Sequence, residues 1–412
     1  MWEWARFGIS AHDSPIRAFR LSRLLAFCQR VSRSCQNGRK WRVRGAGRGQ
    51  GERPMGKKAV SKLFYHLSIL STFLLAGITL AGAFSGQLSP AGHIRFAFIG
   101  LALPVLLLIN FAALIYWAIR LRVWLLIPLI AILGNWGYLS RVIRFSSPPP
   151  SLAAFTIATY NVDAFNGDQT GYSCKEIARY MEEQHADILC MQEFGSNREF
   201  NVDSVKKAFS TWPYYSIPQA PAGTPILQLA VFSKYPILSQ QLITYPDSKN
   251  CSMWCDIDIN GKRIRIFNNH LQTTEVSSNK RTLEKELKKD NTTGTEHAIL
   301  KLTDGLEENF VKRAAQAEHM HKLITASPHP TLVCGDFNSL PSSYTYHTMK
   351  GNRLKDGFQT CGHGYMYTFR YFKRLLRIDY IFHSEELEGL DYFSPELDYS
   401  DHNPVVMRMK IK

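Results

Sequence analysis

Three long apolar stretches follow one another in the first third of the 412-residue chain, at residues 64–84, 96–119 and 123–139. A helix needs about 20 apolar residues to cross the hydrocarbon core of a bilayer. The third stretch is shorter than the first two, and no acidic residue lies between Lys62 and Ser146. A cleavable signal peptide has a shorter apolar region and is not followed by two more spans. The pattern therefore predicts three transmembrane helices.

After these stretches the pattern changes to short apolar runs separated by polar turns. Residues 146–151, SSPPPS, cannot continue a helix and predict a linker. The apolar runs predict strands at residues 155–160, 188–192, 229–232, 253–259, 264–268, 332–334, 378–382 and 405–411, and helical spacing occurs at 173–183 and 308–324. The polar residues 270–311 predict an insertion that carries a charged surface helix at 280–289. We expect a basic arm over residues 1–62, a membrane anchor over 63–145, and a folded domain over 152–412.

The net charge of +15 is confined to the N-terminal part of the chain. Residues 1–54 carry a net +9 and residues 55–150 a net +8, whereas residues 151–412, with 29 basic and 31 acidic side chains, carry −2. A nucleic-acid track needs clustered positive charge, so the charge of the folded domain gives such a track no general support. One local basic cluster, Arg370, Lys373, Arg374 and Arg377, fits a solvated face or a contact with lipid headgroups.

Lysines and arginines around the apolar stretches predict their orientation. Three lysines at residues 57–62 precede the first stretch, and residues 120–122, RLR, separate the second from the third. Basic loops stay in the cytoplasm, so three crossings place the folded domain on the extracytoplasmic face, as in a multi-pass protein of a bacterial inner membrane. Arg141 and Arg144, after the third stretch, oppose this orientation. Two interpretations of residues 1–54 stay open, a non-native upstream extension and a basic arm.

The eight cysteines show neither a CxxC pair nor a Cys/His metal motif. Cys190 and Cys334 lie within apolar runs, where a free cysteine behaves as a small hydrophobe. We therefore expect structural thiols rather than a disulfide framework or a thiolate metal site.

Polar side chains end several of the predicted strands. They occur in TYNVDAFN (Asn161, Asp163), ILCMQEF (Glu193), IFNNHLQTT (Asn269, His270), VCGDFNS (Asp336, Asn338), and RIDYIFHS with YSDHNPV (Asp379, Asp401, His402). If the strands lie in packed sheets, their ends share one rim and the carboxylates converge. Like charges at such distances repel strongly unless a cation offsets them, and Mg²⁺ takes carboxylate and phosphate oxygens as ligands. The set therefore predicts a metal ion and a phosphate ester.

In this order, the motifs resemble those of the endonuclease/exonuclease/phosphatase superfamily, which includes exonuclease III, DNase I, sphingomyelinases, inositol polyphosphate 5-phosphatases and deadenylases. The resemblance covers residues 155–412. It implies an α/β fold, a four-layered α/β sandwich of two packed, mainly antiparallel sheets flanked by helices, preceded in this chain by the three transmembrane helices. The membrane segment has no counterpart in the soluble members.

The resemblance implies a metal site for Mg²⁺ or Mn²⁺. Glu193 is then the main metal ligand and Asn161 assists it. Asp163 holds water on the metal, and Asp401 lies close to the ion.

The resemblance also implies the catalytic groups. Asp336 orients or deprotonates water, and Asn338, expected to point the same way by strand alternation, donates its amide to the phosphoryl oxygens. Asp379 fixes the tautomer of His402 and stabilises its imidazolium form, and His270 donates to the phosphate as charge builds. Whether Asp336 or His402 is the general base stays open.

The implied reaction is metal-dependent in-line attack of water on phosphorus. We expect a membrane-anchored phosphodiesterase that acts on a phosphate ester close to the lipid bilayer, whether lipid, nucleic acid or small molecule. The alternatives are a membrane-tethered nuclease acting on extracytoplasmic nucleic acid, a phosphomonoesterase of the 5-phosphatase type, and an inactive scaffold, which would not need converging carboxylates. The oligomeric state stays open. We expect His319 and His321 at the surface, and Tyr160 and Phe337 in the core.

Overall fold

The computed structural model describes residues 55–145, 153–196, 198–274 and 292–412, with side chains from residue 60 in the first range and from residue 299 in the last. The predicted N-terminal arm up to residue 54, the linker at 146–151 and the charged helix at 280–289 lie outside the described residues. Leu63–Lys412 form one compact unit.

Two long apolar helices open the described chain. Helix α1 (Met55–Gly82) and helix α2 (Pro90–Ile119) are each long and apolar enough to cross a membrane, by length and composition. Most of their large apolar side chains are exposed, Leu70 at 65% and Ile119 at 78% for example. Helix α2 also buries Leu103 and Leu107 in a small apolar cluster with Tyr138 and Val142.

The third predicted span is not a single long helix, so the prediction of three transmembrane helices is wrong for this stretch. The structure has a 3₁₀ turn (Val123–Leu125), helix α3 (Leu126–Gly134) and a single turn, α4 (Trp136–Leu139). Asn135 interrupts the helix with φ −102° and ψ 21°, and its amide donates to the carbonyl of Thr79 at 2.9 Å. Within the described residues, two helices qualify as candidate spans.

Two six-stranded sheets follow. In spatial order, the first sheet contains β10 (Lys355–Asp356), β12 (Asp379–His383), β9 (Thr331–Asp336), β8 (Lys262–His270), β7 (Cys251–Ile259) and β6 (Ile237–Thr244). The second contains β13 (Leu387–Phe393), β14 (Val405–Ile411), β2 (Phe155–Asn161), β3 (Ile188–Gln192), β5 (Ala230–Ser233) and β4 (Tyr214–Ser216). A separate short ladder joins β1 (Ile143–Arg144) to β11 (Gly364–Tyr365).

Helices cover the outer faces of both sheets and complete four layers. Helices α5 (Tyr172–Glu183) and α6 (Val202–Ala208) pack on the second sheet, and α7 (Thr292–Thr325) and α8 (Tyr344–Lys350) pack on the first. Helix α9 (Gly357–Cys361) contributes to the main core between the sheets. The expected α/β architecture of two packed sheets flanked by helices is thus confirmed. Part of the predicted polar insertion, residues 292–311, is instead the first half of α7.

The cores also agree with the sequence. Tyr160 and Phe337 are buried in the outer cores of the second and first sheets. All six cysteines in the described part of the chain are free and buried, as expected for structural thiols. His319 is exposed, whereas His321 is half-buried.

The strand topology gathers the polar strand ends on one rim. In each sheet, the central pair of described strands is parallel: β2 with β3, and β8 with β9. The carboxyl ends of parallel neighbours meet at the same edge. Strand β12 runs antiparallel to β9, so that its first residue, Asp379, pairs with the last residue of β9, Asp336.

Candidate active site

The nine predicted site residues lie together at this rim. They are Asn161, Asp163, Glu193, His270, Asp336, Asn338, Asp379, Asp401 and His402. Asn161 joins the two sheets, because its amide donates to Glu193 Oε1 at 3.2 Å and to Asp336 Oδ2 at 3.1 Å. The side-chain amide oxygen of Asn161 accepts from the backbone N–H of Asp163 at 3.1 Å. The amide nitrogen of Asn161 therefore faces both carboxylates and orients them.

The chain turns sharply after three of the strands that carry site residues. Asp163, Glu193 and Asn338 have φ values of 45°, 49° and 50°, and each lies within two residues of a strand end. A left-handed backbone costs an L residue other than glycine about 1–2 kcal/mol. Such strain persists where the surrounding structure fixes it, and it concentrates at functional sites. The turns carry the three side chains over the rim.

Asp336 and Asn338 face each other, but the reason given by the sequence pattern is wrong. Strand β9 ends at Asp336, and Asn338 lies in the turn that follows it, not at an alternate strand position. Asp336 accepts from the Asn338 backbone N–H at 2.7 Å and from its side-chain amide at 3.1 Å. The same amide also donates to the carbonyl of Leu271 at 3.0 Å. Both amide hydrogens of Asn338 are thus engaged within the protein.

Gly335 lets strands β8 and β9 approach closely beneath the site. Its φ is 124°, and a Cβ at this position would lie 2.0 Å from the backbone oxygen of Asn269. No side chain fits at that distance, and the backbone conformation favours glycine. The glycine of the GDFN segment therefore allows Asp336 to stand beside His270, its register partner on β8.

His402 and Asp379 form a buried pair. Nδ1 of His402 lies 3.0 Å from Oδ2 of Asp379, and its Nε2 lies 3.7 Å from Oδ2 of Asp336. Burial alone would lower the pKa of His402, but the charges of Asp379 and Asp336 outweigh burial and raise it from 6.5 to about 10. The ring is therefore an imidazolium at neutral pH in the protein alone, held in place by Asp379.

His270 is buried completely, and neither ring nitrogen has a hydrogen-bond partner among the described residues. Its Nε2 lies 3.5 Å from Glu193 Oε1 and 3.7 Å from Asp336 Oδ2. Burial and the charge of His402 lower its pKa from 6.5 to about 3, so the ring is neutral. A buried polar ring without a partner is costly, and this one is placed to contact a ligand between the two carboxylates.

Three carboxylates of the site hold protons more tightly than free carboxylates do. Burial raises the pKa of Asp336 to about 7, with His402 acting against the increase. Burial and the charges of Asp401 and Glu193 raise the pKa of Asp163 to about 6. The pKa of Asp401 is also raised, chiefly by burial. Each increase reflects the cost of ionising a buried carboxylate, which a nearby cation would offset.

The residues present fit a divalent cation. Asp336, Asp379 and His402 each offer a ligand atom within 4.8 Å of the others. Within this group, Asp379 and His402 already bind each other. Glu193 lies outside the group, and its side chain is 27% exposed and accessible at the mouth of the site. Hard divalent cations prefer such oxygen donors. An ion beside Glu193 and Asp336 would stabilise the ionised form of the buried carboxylates.

Arg313 is a site residue that the sequence did not reveal. This buried side chain of α7 donates to the carbonyls of Gln272 at 2.7 Å and Asn338, and to Ser339 Oγ at 3.0 Å. It therefore ties the chain after His270 to the turn after Asp336. The signal was available, because Arg313 lies four residues before buried Ala317 and hence on the apolar face of the helix.

The predicted basic cluster is largely neutralised within the domain. Arg377 is fully buried and forms a bidentate ion pair with Asp356. Arg370 pairs with Asp398, and Arg374 with Glu396. Lys373 is exposed and has no ion pair among the described residues. The cluster is therefore not a continuous positive track.

Comparison with known proteins decides the family. The family model described as "Endonuclease/Exonuclease/phosphatase family" matches residues 158–402. The chain belongs to this family. Members of the endonuclease/exonuclease/phosphatase family are hydrolases that act on phosphate esters. Residues 61–142 match a second model, described as a domain of unknown function (DUF8431). No curated protein matches the chain.

Several solved structures resemble part of this chain. An endonuclease/exonuclease/phosphatase from Bacteroides vulgatus is 20% identical, with a TM-score of 0.44, and the alignment covers 63% of this chain and 99% of that one. Humanised D. rerio TDP2 is 15% identical, with a TM-score of 0.45 and coverages of 62% and 98%. A mannosyl-6-phosphatase from Bacteroides thetaiotaomicron is 18% identical, with a TM-score of 0.42 and coverages of 62% and 100%.

Proposed function

We propose that this protein is a membrane-anchored phosphodiesterase that depends on a divalent metal, Mg²⁺ or Mn²⁺. The convergence of Glu193, Asp336, His270 and the Asp379–His402 pair on one rim carries the proposal. A scaffold protein would not need buried carboxylates with raised pKa values, nor a buried histidine without hydrogen-bond partners. Both are destabilising unless a ligand satisfies them.

The side chains divide the work of in-line hydrolysis. Glu193, with Asn161 and Asp401 nearby, would hold a divalent ion, which would offset the negative charge of the cluster and of the phosphate when bound. Asp379 holds the His402 ring with Nε2 towards Asp336. As a carboxylate, Asp336 is placed to take a proton from the attacking water, and the His402 imidazolium is placed to offset negative charge beside it. His270 lies where its Nε2–H can donate to a phosphoryl oxygen.

The helical segment has the polarity expected of a membrane anchor. Its large apolar side chains face outwards, while its buried polar side chains bond one another between the helices. The amide of Asn110 donates to Thr79 Oγ1 at 2.7 Å, and the Trp117 indole donates to Thr72 Oγ1 at 3.0 Å. Polar contacts between helices with an apolar exterior are typical of helices in lipid.

Contacts of the helical segment support a catalytic domain on the opposite side of the membrane from the lysine-rich start of α1. Ser85, in the loop between α1 and α2, donates to the carbonyl of Ser342 in the catalytic domain at 2.8 Å. That loop and the domain therefore lie on the same side. Arg141 donates to the Pro341 carbonyl at 3.1 Å, and Arg144 donates to the Gln359 carbonyl. Because these two arginines are bound to the domain, they are weak topological signals.

An assay of the full chain in lipid nanodiscs tests the proposal. The substrates are bis-p-nitrophenyl phosphate, p-nitrophenyl phosphate, single-stranded DNA and phospholipid, each with Mg²⁺ or with EDTA. We expect diester hydrolysis that EDTA abolishes, that Mg²⁺ restores, and that Glu193→Gln and His402→Ala each lower by about a hundredfold or more. Asp391→Asn, which breaks a surface pair with Arg408, is the control. Turnover that survives EDTA and both site substitutions would refute the proposal.

A further inference from the structure

An exposed loop connects the exit of the helical segment to the active site. Residues 365–375, which we call the rim loop, begin at Tyr365 of β11. Strand β1, which follows α4 after three residues, pairs Ile143 with Tyr365 and Arg144 with Gly364. Paired Cα atoms in such a ladder lie about 5 Å apart. The rim loop therefore starts where the chain leaves the apolar helices.

The rim loop presents aromatic rings to its surroundings. Tyr365, Tyr371 and Phe372 are 48%, 60% and 44% exposed, and Phe145, directly after β1, is 93% exposed. The tip also has a left-handed backbone, with φ values of 51° at Phe372, 55° at Lys373 and 60° at Arg374. Each such residue costs about 1–2 kcal/mol. Exposed aromatic rings are favoured at the headgroup level of a bilayer.

Ring contacts connect the tip of the loop to the catalytic histidine. The centroid of Phe369 lies 5.0 Å from that of His402 in an edge-on arrangement. Tyr371 and Phe372 lie 5.6 Å and 6.2 Å from the same Phe369 ring. A surface that contacts Tyr371 or Phe372 is thus connected to His402 through two ring contacts, with the Phe369 ring between them.

The charges of the loop favour lipid over nucleic acid. The two arginines of the loop pair with Asp398 and Glu396, and Lys373 is the one cation of the loop with no ion pair in the described part of the chain. Nucleic-acid binding draws its affinity from several unpaired cations that displace counterions. Exposed rings with a single unpaired cation suit a bilayer surface, where the apolar rings contribute most of the affinity.

We propose that the rim loop lies in the headgroup region of the membrane that holds α1 and α2, and that the substrate is a lipid with a phosphodiester headgroup. This inference rests on the anchorage and the activity proposed above. In the reaction, the oxygen of water bonds to phosphorus while the P–O bond to one of the two alcohols breaks. That alcohol leaves with one proton of the water, and the phosphate stays on the other alcohol as a monoester.

Fluorescence quenching in the bilayer tests the position of the loop without any assay of activity. The full chain is placed in nanodiscs of phosphatidylethanolamine and phosphatidylglycerol with brominated acyl chains. Tyr371→Trp should show quenching beyond that of the native tryptophans. Tyr214→Trp is the matched control, because Tyr214 is 42% exposed in β4, at the opposite edge of its sheet from β13. Equal quenching in the two variants would overturn the inference.

Hydrolysis in the same nanodiscs tests the substrate class. The double variant Tyr371→Ser with Phe372→Ser should lower the ratio of lipid hydrolysis to bis-p-nitrophenyl phosphate hydrolysis by about tenfold or more, while Tyr214→Ser leaves this ratio unchanged. An unchanged ratio in the double variant would overturn the inference. Cleavage of single-stranded DNA with no lipid hydrolysis would also overturn it, in favour of nucleic acid. In both cases, metal-dependent diester hydrolysis by the wild type would leave the proposed function standing.

Discussion

His402 Nδ1 lies 3.0 Å from Asp379 Oδ2, and both side chains are buried. Asp379 is itself fixed at the start of β12, where Thr368 Oγ1 accepts from its backbone N–H at 3.0 Å. Strand pairing, a hydroxyl and a carboxylate thus determine the position of one imidazole ring.

Asp379→Asn removes the charge that holds this ring as an imidazolium while keeping its shape. We expect kcat for bis-p-nitrophenyl phosphate to fall on the order of 10²–10⁴-fold, as when the orienting carboxylate of a catalytic histidine is lost. KM should change little, because Asp379 does not contact substrate. Asp391→Asn, in a half-exposed pair with Arg408, is the control. Wild-type kcat in Asp379→Asn would show that the pair has no catalytic role.

Arg313 is a positioning residue that acts through the turn containing Asn338. Arg313→Met leaves the carbonyls of Gln272 and Asn338 without their donor, and displaced catalytic groups lose rate steeply. We expect kcat to fall about ten- to a hundredfold with little change in KM, and Arg313→Lys to recover part of the loss. Lys312→Met, at a surface pair with Glu308, is the control. A lower melting temperature with unchanged kcat would make the role of Arg313 purely structural.

Gly335→Ala tests the close approach of β8 and β9. The added Cβ would lie 2.0 Å from the Asn269 oxygen, so the two strands must separate. We expect a loss of several kcal/mol in the free energy of unfolding, and failure to accumulate as folded protein is the extreme case. Gly223→Ala is the control, since Gly223 also has positive φ, at 82°, but no atom within 4 Å. That substitution should cost about 1 kcal/mol, and equal melting temperatures for the two variants would contradict the packing described here.

His347 gives the fold a pH dependence outside the active site. Burial, Arg141 and Lys350 lower its pKa from 6.5 to about 4, while the Ser343 carbonyl acts in the opposite direction. Glu318 and His321 of α7 line the cleft beside it. The unfolded chain therefore binds more protons than the folded one between pH 6.5 and 4, and stability falls as the pH falls through this window.

The slope from a single such group is at most about 1.4 kcal/mol per pH unit. We expect the pH dependence of the melting temperature, measured in detergent from pH 7 to about 4.5, to become weaker in His347→Gln because the contribution of His347 is lost. The exposed His319→Gln should keep it. Identical pH profiles for the wild type and His347→Gln would rule out the assignment.

The sequence predicts buried strands well and exposed strands poorly. The apolar runs that became β2, β3, β9 and β14 were found within a few residues, because most of their positions are buried and each contains a run of apolar residues. Strand β6 was missed because five of its eight residues, 238–241 and 244, are exposed and break any alternation. Strand β13 was missed because half-buried polar residues interrupt its apolar positions.

The site residues were found because each lies at or near the end of an apolar strand, but their local backbone geometry could not be predicted from the spacing of residues in the sequence. The left-handed turns at Glu193 and Asn338 depend on tertiary contacts such as the bond from Asn161 to Glu193. The same limit applies to Asn135, which lies within an apolar stretch but ends a helix by bonding to Thr79. Arg377, which looks like one of a surface cluster in sequence, is buried because Asp356 lies opposite it.

The central claim is that the converging carboxylates hold a divalent cation. Mn²⁺ titration of the full chain, followed by the electron paramagnetic resonance of the free ion, tests this claim most directly. We predict one tight class of site that Mg²⁺ competes for, weakened by about tenfold or more in Glu193→Gln and unchanged in Asp391→Asn. Absence of Mn²⁺ binding by the wild type, or equal binding by Glu193→Gln, would contradict the account.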